Sequence, residues 1–184
     1  MILPLFRRPK SGGTISALYG MIVAQARLPC FYRDYGVPDT VNGRFDLLVA
    51  HLAAVLQRLD PKDPQLRELG QGLFDEFCRD MDHNLREMGV GDLSVPKEMN
   101  RIGEAFYGRS QVYAQASAAR DNQALSRAYG RNIFGDTAES PGARRLAFYM
   151  NVFAADLAAL DRAALLGGEL NFPDPSAIPP PEER

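Results

Sequence analysis

Two helical patterns are separated by residues 27–46, which read RLPCFYRDYGVPDTVNGRFD. Within this segment, Pro29, Gly36, Pro38 and Gly43 interrupt any helix that would run through it. Arg, Tyr and Asp are denser here than the packing of a connection requires, and polar residues on such connections serve binding more often than stability. We therefore predict a shaped connection between two helices, with a role in binding.

Apolar residues recur at helical spacing on both sides of this connection, and strict alternation is nearly absent. Helix N-caps are indicated at Asp39 or Thr40, at Asp63 before Pro64, and at Ser94. The predicted class is all-α, a single-domain bundle of about six helices joined by short connections. The six helices are predicted to begin near residues 14, 40, 64, 95, 122 and 141, and the last to run unbroken to near residue 167.

The length of 184 residues fits one domain. We expect a flexible basic arm over residues 1–13, a helical domain over 14–168, and an extended or disordered Pro-rich tail over 169–184. The net charge of −2 gives no general attraction to nucleic acid, and no apolar run of about 18 residues predicts a transmembrane helix. We expect a cytoplasmic protein without direct nucleic-acid binding. The apolar and then basic arm leaves open a transient contact with a membrane surface, such as the inner membrane, or with a ribosome.

Residues suited to catalysis or metal binding are sparse. His51 and His83 are the two histidines, and the chain has no Glu-x-x-His motif of the kind that carboxylate di-metal bundles use. It also contains no phosphate loop, no dinucleotide fingerprint and no nucleophile elbow. We predict no catalytic site, no metal site and no cofactor. Two alternatives stay open, namely axial haem ligation by a histidine and a half-site for a metal formed by Asp80 with His83.

Three polar segments remain after these tests: residues 32–46, the sequence REMGVGDL at 86–93, and FYGR at 106–109. Segments at helix ends can converge on one rim of a bundle, where they either fix the loop shape or hold a groove open for a partner. The candidate ion pairs are Arg44 with Asp92 or Asp46, and Arg109 with Asp39. The candidate partner-binding or rim-shaping residues are Tyr32, Asp39, Arg44, Phe45, Asp46, Arg86, Met88, Asp92, Tyr107 and Arg109.

These motifs, in this order, resemble those of the ubiquinol–cytochrome c chaperone family. The resemblance extends from about residue 15 to about residue 119 and, more loosely, to the last helix. It implies a non-enzymatic factor that binds newly made cytochrome b, holds it for haem insertion and promotes assembly of the cytochrome bc1 complex. It also implies partner contacts at Arg44, Asp46, Asp92 and Arg109, and a small helper protein and the ribosome as further partners in mitochondria.

The chain differs from mitochondrial members in lacking a long N-terminal extension, so we expect a bacterial member. This difference leaves the ribosome role and the identity of a helper protein open. The alternative function is a helical ligand-binding protein that holds haem or a lipid in an enclosed apolar cavity between its helices.

Overall fold

The computed structural model describes residues 11–135 and 140–180. Within them the fold is all-α, which confirms the predicted class. A π-helical turn follows α6 at Gly130–Phe134, and a 3₁₀ turn lies at Pro175–Ala177. The helices are α1 Ser11–Ala26, α2 Pro29–Arg33, α3 Val41–Arg58, α4 Pro64–Glu87, α5 Val95–Ala118, α6 Asn122–Tyr129, α7 Pro141–Ala159 and α8 Arg162–Gly167.

Most helix starts follow from local chemistry. Thr40 Oγ1 accepts a hydrogen bond from the backbone N–H of Gly43 at 3.1 Å, which satisfies one of the free donors in the first turn of α3. Asp63 caps α4 in the same way, and Pro64 occupies the first helical position, where its missing N–H costs nothing. Ser94 precedes α5 as predicted, although its side chain makes no capping bond.

Three boundaries differ from the prediction. Pro29 does more than end the first helix, because its fixed φ also starts the short helix α2. The last predicted helix is broken at Leu160, and Asp161 then caps α8 by accepting from the N–H of Ala164 at 2.8 Å. Helix α1 already begins at Ser11, so the arm predicted over residues 1–13 is helical from there, and residues 1–10 lie outside the described residues.

Helix α3 lies at the centre of the bundle. It packs against α1, α5 and α7, while α1 also packs against α4, and α6 packs between α5 and α7. Leu47, Val49 and Leu52 of α3 are fully buried. The first turn of α3 lies at one end of the bundle. There the segment that precedes α3 lies close to α4 and α5.

His51 lies in the buried part of α3 and has a structural role. Its Nδ1 donates to Leu47 O at 2.8 Å, so its Nε2 accepts from the hydroxyl of Tyr149 at 3.1 Å. The same hydroxyl accepts from Nε2 of Gln25 at 2.9 Å. Burial lowers the pKa of His51 to about 4, opposed by the hydrogen bond to Leu47. A neutral histidine thus connects α1, α3 and α7.

The C-terminal tail needs a correction over residues 169–180. Of the two predicted alternatives, extended or disordered, the second is wrong for this segment, which packs on the bundle and contains the 3₁₀ turn Pro175–Ala177. The ring of Phe172 stacks on Phe153 with centroids 4.8 Å apart, and Tyr35 donates its hydroxyl hydrogen to Pro175 O at 2.8 Å. Apolar side chains and long-range hydrogen bonds offset the cost of ordering this Pro-rich chain. Residues 181–184 lie outside the described residues.

Arg145 of α7 holds the tail in place. Its Nε and Nη2 donate to Ile178 O at 3.0 and 2.6 Å, and its Nη1 donates to Asp34 O at 3.0 Å. Its guanidinium also lies 4.3 Å from the centre of the Tyr35 ring. One side chain therefore joins the tail to the segment after α2.

Replacing Arg145 with methionine is expected to lower the free energy of unfolding by about 2 kcal/mol, because it leaves two backbone carbonyls without partners. Amide hydrogen exchange in residues 170–180 should become faster. Arg162→Met is the matched control, since Arg162 lies at the surface and a surface ion pair such as that with Asp63 contributes little to stability. Equal effects of the two substitutions on stability and exchange would contradict this role of Arg145.

Candidate functional site

An open cleft of ≈ 910 Å³ lies between the first turns of α3, the end of α4, one face of α5 and the π-helical turn. Its walls are largely apolar, and its mouth carries Val41 and Met88, which are 64% and 55% exposed. Five of the predicted site residues line it. These are Arg44, Phe45, Asp46, Met88 and Arg109. We call this space the α3–α5 cleft.

The floor of the α3–α5 cleft carries a buried ion pair. Asp46 is 4% exposed, and its Oδ1 lies 2.8 Å from Nη2 of Arg109. The two groups form an ion pair whose geometry is not that of a hydrogen bond. Asp46 Oδ1 and Arg109 Nε are both shielded from solvent, and neither has a hydrogen-bond partner among residues 11–135 and 140–180. Burial raises the pKa of Asp46 to about 6, against the opposing charge of Arg109. The guanidinium of Arg109 lies 5.5 Å from the centre of the Phe45 ring.

The rim beside Arg44 contains a second, exposed pair. Arg44 Nε lies 2.6 Å from Asp39 Oδ1, and this hydrogen bond lowers the pKa of Asp39. The Arg44 guanidinium lies 5.9 Å from the centre of the Tyr32 ring, and Tyr32 donates its hydroxyl hydrogen to Ala26 O at 2.8 Å. Asp39 and Tyr32 therefore shape the rim next to the cleft without lining it.

The predicted ion pairs were wrong in their partners. Arg44 pairs with Asp39, because Asp39 immediately precedes the N-cap of α3 and lies near the same helix turn. Arg109 pairs with Asp46, because α5 packs along α3 and brings the two side chains face to face. Asp92 pairs with neither arginine.

Arg86 and Asp92 pair with each other at the end of α4, and Arg86 also bonds to Asp82 at 2.7 Å. This pair spans the turn that Gly89 makes with its φ of +83°. Arg86 and Asp92 are not cleft residues, but they fix the end of the helix from which Met88 reaches the mouth of the cleft.

Tyr107 does not reach the cleft. It is 62% exposed, with its ring 5.5 Å from Phe74. On α5 the cleft-lining positions recur at helical spacing through Ile102, Ala105 and Arg109, so Tyr107 lies on the other face. The π-helical turn contributes Ile133 to the cleft, which the sequence pattern did not indicate, because the pattern there predicted a plain helix.

The histidines give no support to the haem alternative. Both ring nitrogens of His51 are hydrogen-bonded within the core. His83 is 70% exposed on α4, with its Nε2 4.0 Å from Glu87 Oε1. Asp80, its expected metal-binding neighbour, accepts from the hydroxyl of Tyr19 at 2.7 Å. Among the described residues, no three His, Cys, Asp or Glu side chains are grouped as metal ligands.

A further cavity, of ≈ 190 Å³, lies among α3, α5, α6 and α7. Gln57, Arg58 and Tyr113 contribute polar groups to its lining. Its volume is below the roughly 300–1,000 Å³ typical of pockets for small-molecule ligands and cofactors. This cavity therefore does not match the enclosed apolar pocket that the ligand-binding alternative requires.

The family model of the ubiquinol-cytochrome C chaperone matches residues 33–172. The chain belongs to this family. The matched range contains most of the residues that line the α3–α5 cleft and confirms the resemblance seen in the three motifs. Membership supports a chaperone rather than an enzyme.

A solved structure agrees with this assignment. The crystal structure of the Cbp3 homolog from Brucella abortus is similar with a TM-score of 0.88 and 39% sequence identity, over 97% of this chain and 100% of that chain. A comparison with curated proteins gave no match. Within residues 11–135 and 140–180, no helix is both long enough and apolar enough to cross a membrane.

Proposed function

We propose that this protein is an assembly chaperone of the ubiquinol–cytochrome c reductase (bc1) complex, and that its α3–α5 cleft holds an apolar segment of newly made cytochrome b. Membership in the chaperone family supports the role in assembly. The proposed location of the client segment is supported by the open apolar cleft, with Val41 and Met88 exposed at its mouth.

The cleft suits a segment that must be shielded from water. Contiguous exposed apolar surface is costly in a soluble protein and commonly marks an interaction site. Grooves between helices bind the apolar face of another helix in many known complexes. A newly made membrane protein exposes such faces until it is assembled. The charged pairs at the rim, such as Arg44 with Asp39, keep the surroundings of the cleft hydrated.

Val41→Asp and Met88→Asp are expected to reduce the capture of cytochrome b by roughly tenfold or more, because each places a charge against an apolar client. Both side chains are largely exposed, so the fold should persist. Phe148→Asp is the matched control, since Phe148 is 53% exposed on α7, outside the cleft. The measurement is the amount of cytochrome b purified with tagged protein from membranes of the source organism.

The level of assembled bc1 complex in a strain that carries only each variant is the second readout. Capture and assembly unchanged in both cleft variants would show that the client binds elsewhere. Normal bc1 levels in a strain without the gene would contradict the assembly role itself. Mass spectrometry of the same purified samples tests the further partners, because it would detect a small helper protein, ribosomal proteins and lipids of the inner membrane.

A further inference from the structure

A second concavity lies beside the α3–α5 cleft, and the proposed function does not use it. It has a volume of ≈ 420 Å³ and lies between the end of α1, helix α2 and the first turn of α3. The residues that line it are Arg27, Pro29, Tyr32, Arg33, Asp39 and Arg44. Three of them are arginines from separate parts of the chain, so we call this space the arginine pocket.

Arg27 gives the arginine pocket a positive charge that no nearby carboxylate neutralises. It directly follows α1, is exposed, and has no ion pair within residues 11–135 and 140–180. It also lines the α3–α5 cleft, so it lies where the two spaces meet. Burial raises the pKa of Tyr32, and the positive charges of Arg44 and Arg27 oppose that rise. Both guanidinium groups therefore lie close to Tyr32.

The other two arginines of the pocket are held by exposed carboxylates. Arg33 donates from Nε and Nη2 to the two carboxylate oxygens of Asp34, each at 2.7 Å. Arg44 donates from Nε to Oδ1 of Asp39 at 2.6 Å. These hydrogen bonds lower the pKa of both carboxyl groups. Exposed pairs of this kind contribute little to stability, and a guanidinium has more N–H groups than these pairs use. An incoming anion can therefore bind the same arginines.

The composition of the arginine pocket favours an anion with several acceptor oxygens. Guanidinium groups bind carboxylates and phosphates through paired hydrogen bonds. Donors that come from three segments approach from more than one direction, and the terminal oxygens of a tetrahedral phosphate match them better than a planar carboxylate does. A phosphate monoester also carries about two negative charges near neutral pH, which complements the excess of arginine over aspartate in the lining. The volume of the pocket leaves room for more than the phosphate itself.

We propose that the arginine pocket binds a phosphate group through Arg27, Arg33 and Arg44. The phosphate belongs either to a small phosphate ester or to the headgroup of a phospholipid whose acyl chains enter the adjoining cleft. Asp39 competes with the phosphate for Arg44 and so opposes its binding. The inference concerns a ligand other than cytochrome b, and it does not rest on the proposed function.

Isothermal titration calorimetry of the full-length protein at low ionic strength, where charge interactions are least screened, tests the site. The probes are inorganic phosphate, glycerol 3-phosphate and dihexanoyl phosphatidic acid, a soluble phospholipid. Saturable binding of the phosphate probes is expected, with sodium acetate at least about tenfold weaker. Tighter binding of the lipid than of glycerol 3-phosphate would identify a phospholipid as the ligand, whereas equal affinities would identify a small phosphate ester.

Three variants locate the bound phosphate. Arg27→Gln is expected to weaken binding at least about tenfold, because it removes the unpaired charge. Asp39→Asn is expected to strengthen binding about threefold or more, because it removes the carboxylate that competes for Arg44. Arg67→Gln is the matched control, since Arg67 is exposed on α4 and lies outside the pocket. All three positions are exposed, so the fold should persist.

Four results would overturn the inference. They are the absence of saturable binding of every phosphate probe, equal weakening by Arg27→Gln and Arg67→Gln, binding of acetate as tight as that of phosphate, and weaker binding after Asp39→Asn. The experiment contains no cytochrome b, so each of these results leaves the proposed function unaffected.

Discussion

Replacing Gly43 with alanine is expected to lower the free energy of unfolding by about 3 kcal/mol. Gly43 lies in the first turn of α3, and a Cβ there would be 2.1 Å from Pro38 O and 3.1 Å from Pro38 C. Both atoms belong to the backbone, so the clash can be relieved only if the connection before α3 moves. Such a movement would also disturb the cap, because Gly43 N–H donates to Thr40 Oγ1.

Urea unfolding followed by circular dichroism measures this effect. Gly103→Ala is the matched control, since Gly103 lies within α5 and a Cβ there would meet nothing within 4 Å. Alanine at that position should increase stability by about 0.5–1 kcal/mol, because it is the better helix former. Gly43→Ala should also reduce the capture of cytochrome b, since Gly43 lines the α3–α5 cleft. A Gly43→Ala protein as stable as the unaltered protein would show that the segment before α3 can move away from a Cβ at little cost in free energy.

Sequence reasoning predicted the helix starts that depend on neighbouring residues. Thr40 and Asp63 cap their helices with hydrogen bonds that span two or three residues, and such local chemistry can be read from the sequence. The break at Leu160 was missed because α7 and α8 have similar apolar spacing, and the same pattern fits one long helix or two short ones. Boundaries set by packing between distant segments leave little local signal.

The C-terminal tail is a second case in which contacts between distant residues decide the structure. Its proline content predicts an extended or disordered chain, and this composition supplies few apolar residues. Order over residues 169–180 comes from Phe172, which stacks in the core, and from Arg145, which lies 33 residues before the carbonyl of Ile178 that it binds. A contact between residues so far apart in the chain cannot be inferred from the composition of the tail.

In the candidate site, the sequence predicts residues near the cleft but not the ion pairs that they form. Arg44, Asp46 and Arg109 lie in polar segments that also carry the family resemblance, and all three line the cleft. Which carboxylate each arginine meets depends on how α5 and α3 are rotated against each other, and helical periodicity fixes the buried face without fixing that rotation. Tyr107 was included through its motif, although its position on α5 is two residues from the cleft face.

Two buried groups are expected to give opposite responses of stability to acid. His51 has its pKa lowered from 6.5 to about 4, so the unfolded chain takes up a proton first, and the contribution of His51 is lost as the pH falls from 6.5 towards 4. Asp46 has its pKa raised from 3.8 to about 6, so the folded chain takes up a proton first. The contribution of Asp46 to the free energy of unfolding therefore increases as the pH falls from 6 towards 3.8, and it is lost as the pH rises through 6. Each shift corresponds to about 3 kcal/mol.

Because the two responses nearly cancel, they should become visible only when one group is removed. Between neutral pH and about pH 4, the free energy of unfolding of the Asp46→Asn protein should fall by about 3 kcal/mol more than that of the unaltered protein. That of the His51→Gln protein should fall by about 3 kcal/mol less. The measurement is the free energy of unfolding in urea at several pH values for the three proteins. The substitutions also change the stability at neutral pH, but that change shifts a whole profile without altering its slope. All other titrating groups are shared, so they cancel when slopes are compared. Three parallel profiles would mean that neither side chain titrates differently in the folded and unfolded chains. The attraction of Arg109 would then fully offset the effect of burial on the pKa of Asp46.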